Sequence, residues 1–187
     1  MVRQTNSGQL ATIGASIPRP PLDAGLMFLG LVLFQGVHYS EHIVQVLQRF
    51  VFGIPTGAGI LGSWLDIEPV HFGYNLIFLS LVAICFWKAG YLKSSASRHG
   101  FVYWVMAFAL LFQVYHMVEH IVKMVQFIDW GRNGTPGILG YFFNLVWLHF
   151  TYNTIALVPL LVVFFKGGYY QSAITALSNA WHYSPAT

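Results

Sequence analysis

The segment Phe34-Gln35-Gly36-Val37-His38-Tyr39-Ser40-Glu41-His42 recurs as Phe112-Gln113-Val114-Tyr115-His116-Met117-Val118-Glu119-His120, each copy inside a run apolar enough to cross a membrane. Ionisable groups in such runs are costly and are usually functional. On a helix, positions i, i+3 and i+4 share one face, so each copy aims two imidazoles and a carboxylate at one point. That is an arrangement of metal ligands.

The offset of 78 residues extends beyond the motif without a gap. It carries Gly59-Ile60-Leu61-Gly62 onto Gly137-Ile138-Leu139-Gly140 and His71-Phe72-Gly73-Tyr74-Asn75 onto His149-Phe150-Thr151-Tyr152-Asn153. It also carries Lys88-Ala89-Gly90-Tyr91 onto Lys166-Gly167-Gly168-Tyr169. About two dozen identities at one offset exceed what composition supplies, so the chain reads as an internal duplication. Six of the eight histidines fall at matched positions, and His99 and His182 stand outside the pattern.

Of the 187 residues 56% are hydrophobic and 8% charged, where a soluble domain carries about a quarter charged residues. Mean hydropathy is +0.61. Four stretches reach the spanning length: 24–47, 70–87, 101–126 and 145–165. The expected fold is an all-α integral membrane bundle of four transmembrane helices, built from two tandem, parallel helix-hairpin repeats. Two spans per repeat give both halves the same polarity, hence pseudo-two-fold symmetry about the membrane normal. The chain divides into a polar N-terminal tail (1–23), repeat 1 (24–92), repeat 2 (101–170) and an interfacial C-terminal tail (171–187). The tail at 1–23 lacks the apolar core and cleavage site of a secretory signal, so the first span is expected to be retained. Cys85 stands alone, and no intrachain disulfide is possible.

Basic residues orient the spans. Arg3, Arg19, Lys88, Lys93, Arg98 and Lys166 fall on one side, and Arg49, Lys123 and Arg132 on the other, offset by Asp66, Glu68 and Asp129. The positive-inside rule puts both termini in the cytoplasm. Counting helical rise from that side places His42, His71, His120 and His149 at a common height of about 25–30 Å, toward the extracytoplasmic face.

The expected ligands are His38, Glu41, His42, His71, His116, Glu119, His120 and His149. Three imidazoles and a carboxylate per half suffice for one metal each, or for a pair with Glu41 and Glu119 bridging or accepting protons. Soluble di-iron carboxylate bundles offer an architectural parallel, with Glu and Glu-x-x-His on facing helices. Without thiolates, two transition-metal ions are expected, iron first, with copper or zinc as alternatives. Haem is the further cofactor considered, bracketed by His71 and His149 or by His38 and His116. The His-x-x-Glu-His pattern also occurs in one group of zinc proteases, but duplication with a matched histidine on the next helix fits one composite site better. Tyr74, Asn75, Tyr152, Asn153, Gln35 and Gln113 are expected around the ligands, as orienting hydrogen-bond partners or as interhelical contacts. The loops with the repeated Gly-Ile-Leu-Gly segments, together with Trp64 and Tyr141-Phe142-Phe143, are expected at the membrane interface over the site.

A formal charge of +3 arising at membrane edges, with no basic stripe among exposed aromatics, excludes a nucleic-acid role. The functional expectation is a membrane oxidoreductase, activating oxygen or transferring electrons, whose lipophilic or small substrate arrives laterally. The alternative is a transition-metal binding or transport protein, or an accessory subunit. Besides the lipid bilayer, a partner subunit or homo-oligomer is expected, because so small a chain has little surface for docking an electron donor.

Overall fold

Long apolar runs leave the backbone only its own hydrogen bonds to make, and here they wind into helices. The computed structural model describes residues 20–62, 66–92 and 100–182. Helix α1 spans Leu22–Val46 and continues as a π-helical turn over Leu47–Val51. Helix α2 spans Glu68–Lys88, with Pro69 in its first turn, where the missing N–H costs nothing. Helix α3 spans Phe101–Trp130 and stops at Gly131, whose φ of 64° is a left-handed cap. Helix α4 spans Leu145–Lys166, its first turn capped by Asn144 Oδ1, which accepts from Val146 and Trp147 N–H. Helix α5 spans Tyr169–His182. Apart from a 3-10 turn at Leu139–Tyr141, no other regular element occurs among the described residues, and none is a strand.

Four of these helices, α1 with its π turn, α2, α3 and α4, are long and apolar enough to cross a membrane, which points to a membrane protein. Their outward faces carry large apolar side chains such as Leu33, Val37, Leu111 and Phe165 in the open. α1 packs against α2 and α4, and α3 also packs against α2 and α4, so the four form a ring in chain order.

The interior is layered. At the end that holds the α2 C-terminus and the α3 N-terminus, Phe28, Leu31, Phe78, Val82, Met106 and Leu160 fill the centre with apolar side chains. One layer up sit four buried amides in two crossed pairs: Gln35 Nε2 donates to Asn153 Oδ1 at 2.8 Å, and Gln113 Nε2 donates to Asn75 Oδ1 at 3.1 Å. The histidines follow, and the two glutamates with their loops close that end.

The C-terminal segment, expected as an interfacial tail from residue 171, is helical from Tyr169 and lies against α1. Gly25 makes this possible: a Cβ there would sit 2.6 Å from the Ala173 nitrogen and from the Ser172 Cβ. Ser172 Oγ donates to the Pro20 carbonyl at 2.7 Å, and the Tyr169 ring stacks on Phe28 at 4.0 Å. The Tyr169 hydroxyl lies 3.5 Å from that of Tyr91, and burial raises the pKa of both phenols. Arg3, Arg19, Trp64, Lys93, Arg98 and His99, and most of the N-terminal tail, lie outside the described residues.

Candidate metal centre

Helical spacing puts His38 and His42 one turn apart on α1 and His116 and His120 one turn apart on α3, while α2 and α4 each add one histidine in their first two turns. The ring of helices turns all six inward. His42 and His149 stack with centroids 5.7 Å apart, His149 and His120 at 5.8 Å, and His120 and His71 at 6.1 Å. His71 lies 6.0 Å from both His42 and His149. His38 joins through His42 at 4.6 Å, and His116 through His120 at 4.9 Å. Six imidazoles from four helices thus form one connected cluster.

Within it, His38, His42 and His71 converge most closely, with a potential ligand atom from each lying within 4.8 Å of the others. The Nε2 atoms of His38 and His42 are 3.1 Å apart. The edge of a tetrahedron of imidazole nitrogens around a zinc-sized ion is about 3.3 Å, so one ion fits between them with little movement. The outer nitrogens are held. His42 Nδ1 donates to Gln45 Oε1 at 2.8 Å, and His71 Nδ1 lies 3.2 Å from the Ile67 carbonyl. Donation through Nδ1 leaves the His42 Nε2 lone pair free, which is the tautomer a metal requires.

On the other side of the cluster, polar atoms are buried without partners. His116 Nδ1 and Nε2, His120 Nδ1 and Glu119 Oε2 make no hydrogen bond, although His116 is 0% exposed and Glu119 1%. A buried polar group left unmade costs about 1–3 kcal/mol, and here four such atoms lie in one turn and a half of α3. A cation would take one nitrogen of each imidazole, so the chemistry of the donor set suits a metal, while the atoms that converge within 4.8 Å are those of His38, His42 and His71.

Both glutamates reach toward the loops. Glu41 Oε2 accepts from Ile60 N–H at 2.9 Å, and Leu61 N–H lies 3.3 Å from Oε1. Glu119 Oε1 accepts from Ile138 N–H at 2.9 Å and from Leu139 N–H at 3.1 Å. Gln48 and Gln126 clamp the preceding glycines from both sides, each accepting the glycine N–H at 2.8 Å and donating to its carbonyl. Gly59 and Gly137 have φ of 74° and 68°, and a Cβ at either would collide with the glutamate Oε1. These glycines let the backbone close onto a carboxylate. Arg49 adds a further tie by donating to the Pro55 carbonyl.

The six residues expected around the ligands divide by chemistry. Tyr74 stacks on His38 at 4.0 Å and donates to the Phe34 carbonyl at 2.6 Å. The Tyr152 ring lies 5.0 Å from His116, and its hydroxyl is 3.0 Å from that of Tyr115. Gln35, Gln113, Asn75 and Asn153 bond to one another, and the two asparagines also donate to the carbonyls of His71 and His149 at 2.9 Å. The amides are interhelical contacts beneath the site.

Three further residues of the site emerge from the structure. Lys123, expected as an outward flanking charge, is 1% exposed, forms an ion pair with Glu68 at 2.6 Å and donates to the Thr135 carbonyl at 2.8 Å. Gln45 supports His42, a role that the i, i+3 spacing could have indicated. Asp66 Oδ1 stands 3.4 Å from His71 Nε2. A polar cavity of about 120 Å³ bordered by Gln45, Asp66, Glu68, Lys123, His71 and His149 leads from the loops to the imidazoles. At the opposite end the apolar layer closes the interior. Comparison of the chain with protein-family models, with curated proteins and with solved structures gives no match.

Proposed function

We propose that the chain is a duplicated integral membrane protein whose two parallel helix hairpins, related by a pseudo-two-fold axis, build a transition-metal centre from six histidines. Supporting the duplication, contacts recur at positions 78 apart. Glu41 and Glu119 hold Ile60 and Ile138, Gln48 and Gln126 clamp Gly59 and Gly137, and Asn75 and Asn153 cap the carbonyls of His71 and His149. The cytoplasm would receive both termini, and the metal centre would face the extracytoplasmic side.

The observation that carries the metal reading is the convergence of imidazoles from four helices beside buried nitrogens that have no partner. One ion would be held by His38, His42 and His71, and a second by His116, His120 and His149. Glu41 and Glu119 would lie at the rim, where the free Oε2 of Glu119 is available as a ligand or proton acceptor. A redox pair of this kind supplies oxygen activation or electron transfer, so the chain is read as an oxidoreductase, with iron first and copper next. Its residues set the imidazole tautomers, exclude water from the cytoplasmic side and admit ions from the loops. An electron donor would dock as a partner subunit or a second copy.

A metal-storage or accessory role is the second reading, favoured by the one-sided polar cavity. Passage through the bundle is opposed by the apolar plug of Phe28, Phe78, Met106 and Leu160. Haem has less support, because the cavities beside the rings, about 200 and 120 Å³, are small for a porphyrin. Elemental analysis of detergent-purified protein, together with its optical spectrum, tests the proposal. About two equivalents of iron or copper per chain are expected. Zinc alone would remove the redox reading, a Soret band would establish haem, and native protein free of all metals would overturn the proposal.

A further inference from the structure

The two histidines that open the repeated motifs have different surroundings. His116 is 0% exposed, whereas His38 borders a cavity of about 200 Å³ between α1, α2 and the loop after α1. The residues preceding each differ as well. Tyr115 turns its hydroxyl to that of Tyr152 at 3.0 Å, and the rings meet edge to face at 5.9 Å. Val37 stands in the corresponding place beside Tyr74, and both line the cavity. A valine there leaves open a space of about the size of one phenol ring.

Most of the cavity surface is apolar, contributed by Val37, Ile60, Leu61 and Val70. These four are 73%, 63%, 57% and 41% exposed, so the cavity opens on the apolar outer face of the helices. Its polar wall holds the imidazoles of His38 and His71. Of the carboxylates there, Glu41 is engaged by the amides of Ile60 and Leu61, and Asp66 Oδ1 stands 3.4 Å from His71 Nε2. An acidic headgroup would be repelled by these carboxylates, and an ammonium would have to shed its hydration against a mostly apolar wall. A neutral hydroxyl can donate to the Asp66 carboxylate, and a wholly apolar occupant would leave this polar wall without a partner. A dry apolar cavity of about 150 Å³ accepts benzene, so this volume takes one substituted ring with its tail left outside.

We propose that this cavity binds a membrane-soluble aromatic alcohol of the phenol or hydroquinone class, its ring among Val37, Ile60 and Val70 and its hydroxyl toward the Asp66 carboxylate beside His71. The site deepens the oxidoreductase reading by assigning a substrate class to it, and it rests on that reading for its chemistry. Binding itself depends only on the cavity.

The test is equilibrium dialysis of decyl-benzohydroquinone, under anaerobic conditions, against the purified chain in lipid nanodiscs with its native metal content. Saturable binding of one molecule per chain is expected. Val37→Tyr, which copies the arrangement beside His116 at a lipid-facing position, is expected to weaken it by about tenfold or more, as is Ile60→Trp. Decylbenzene, decanoate and decylamine are expected to bind at least about tenfold more weakly. Circular dichroism and metal content identify any variant that fails to fold, and the proposal is judged on the other. Absence of saturable binding, or equal binding by correctly folded Val37→Tyr or Ile60→Trp, would overturn the site, and equal binding of any control amphiphile would overturn its ligand class. Full metal loading without hydroquinone binding removes this proposal alone, whereas hydroquinone binding by a metal-free native protein removes the metal centre alone.

Discussion

His38 and His42 face each other through their Nε2 atoms at 3.1 Å, one helical turn apart, and only the outer residue has its ring fixed from behind by an amide, Gln45. Two unprotonated nitrogens at that distance repel unless a proton or a cation lies between them. The pair is therefore poised either to share a proton or to hold an ion, and His71 as third neighbour favours the ion.

Removing single ligands tests whether the six imidazoles work as one centre. His38→Ala and His116→Ala are each expected to lower bound metal by clearly more than one of the roughly two equivalents per chain, read by elemental analysis. Loss of one equivalent with the other retained in both variants would indicate two independent ions in place of a coupled pair.

Gln45 acts through His42. Gln45→Leu keeps the packing volume and removes the acceptor for Nδ1, and metal affinity is expected to fall about 10- to 100-fold in a chelator competition. Helical content and thermal stability without metal should stay close to wild type. An unchanged affinity would assign Gln45 to packing.

Lys123 and Glu68 are buried together at 2.6 Å. Lys123→Met strands the Glu68 carboxylate and is expected to cost about 3–5 kcal/mol, lowering the thermal midpoint in detergent. The double variant Lys123→Met with Glu68→Gln should recover part of that loss. Additive losses in the double variant would mean that the two do not couple.

The arrangement of helices was legible because apolar length and the positions of the histidines are local properties. The spans expected at 24–47, 70–87, 101–126 and 145–165 match α1 to α4 within a few residues, except at the loop ends of α1 and α3. There Gln48, Arg49 and Gln126 read as the polar margin of a span, yet they extend the helix because loop backbone satisfies them. The convergence of histidines was legible from three things together: helical spacing within each motif, the offset of 78 that added His71 and His149, and the common height counted along four spans. The crossed pairing of Gln35 with Asn153 and of Gln113 with Asn75 was not, since it depends on which helices adjoin. Burial of Lys123 was hidden for the same reason: its partner Glu68 is 55 residues away and belongs to a different helix.

Gly59 and Gly137 set how closely the loops approach the glutamates. Gly59→Ala and Gly137→Ala each combine positive φ with a clash on a carboxylate, so each is expected to destabilise by about 1–3 kcal/mol in thermal unfolding. Gly53→Ala, at φ 66° but with nothing near the added methyl, separates the two causes by showing the backbone part alone.

Contact between α5 and the bundle carries a pH dependence. Burial raises the Tyr91 and Tyr169 phenols above their usual value near 10, so the unfolded chain loses these protons first as pH rises. Their contribution is fully present below pH ~10 and declines from there through the raised folded values. Tyr169→Phe is expected to flatten the fall of the thermal midpoint above pH ~10. An equally steep fall in that variant would place the alkaline sensitivity elsewhere.

X-ray absorption at the metal edge of the purified protein bears most directly on the six-histidine centre. Nitrogen scatterers at about 2.0–2.1 Å, with the outer-shell pattern of imidazole rings at an average of about three per ion, are expected. A first shell of oxygen alone, or an imidazole pattern unchanged after His42→Ala and His120→Ala together, would contradict a centre built from these histidines.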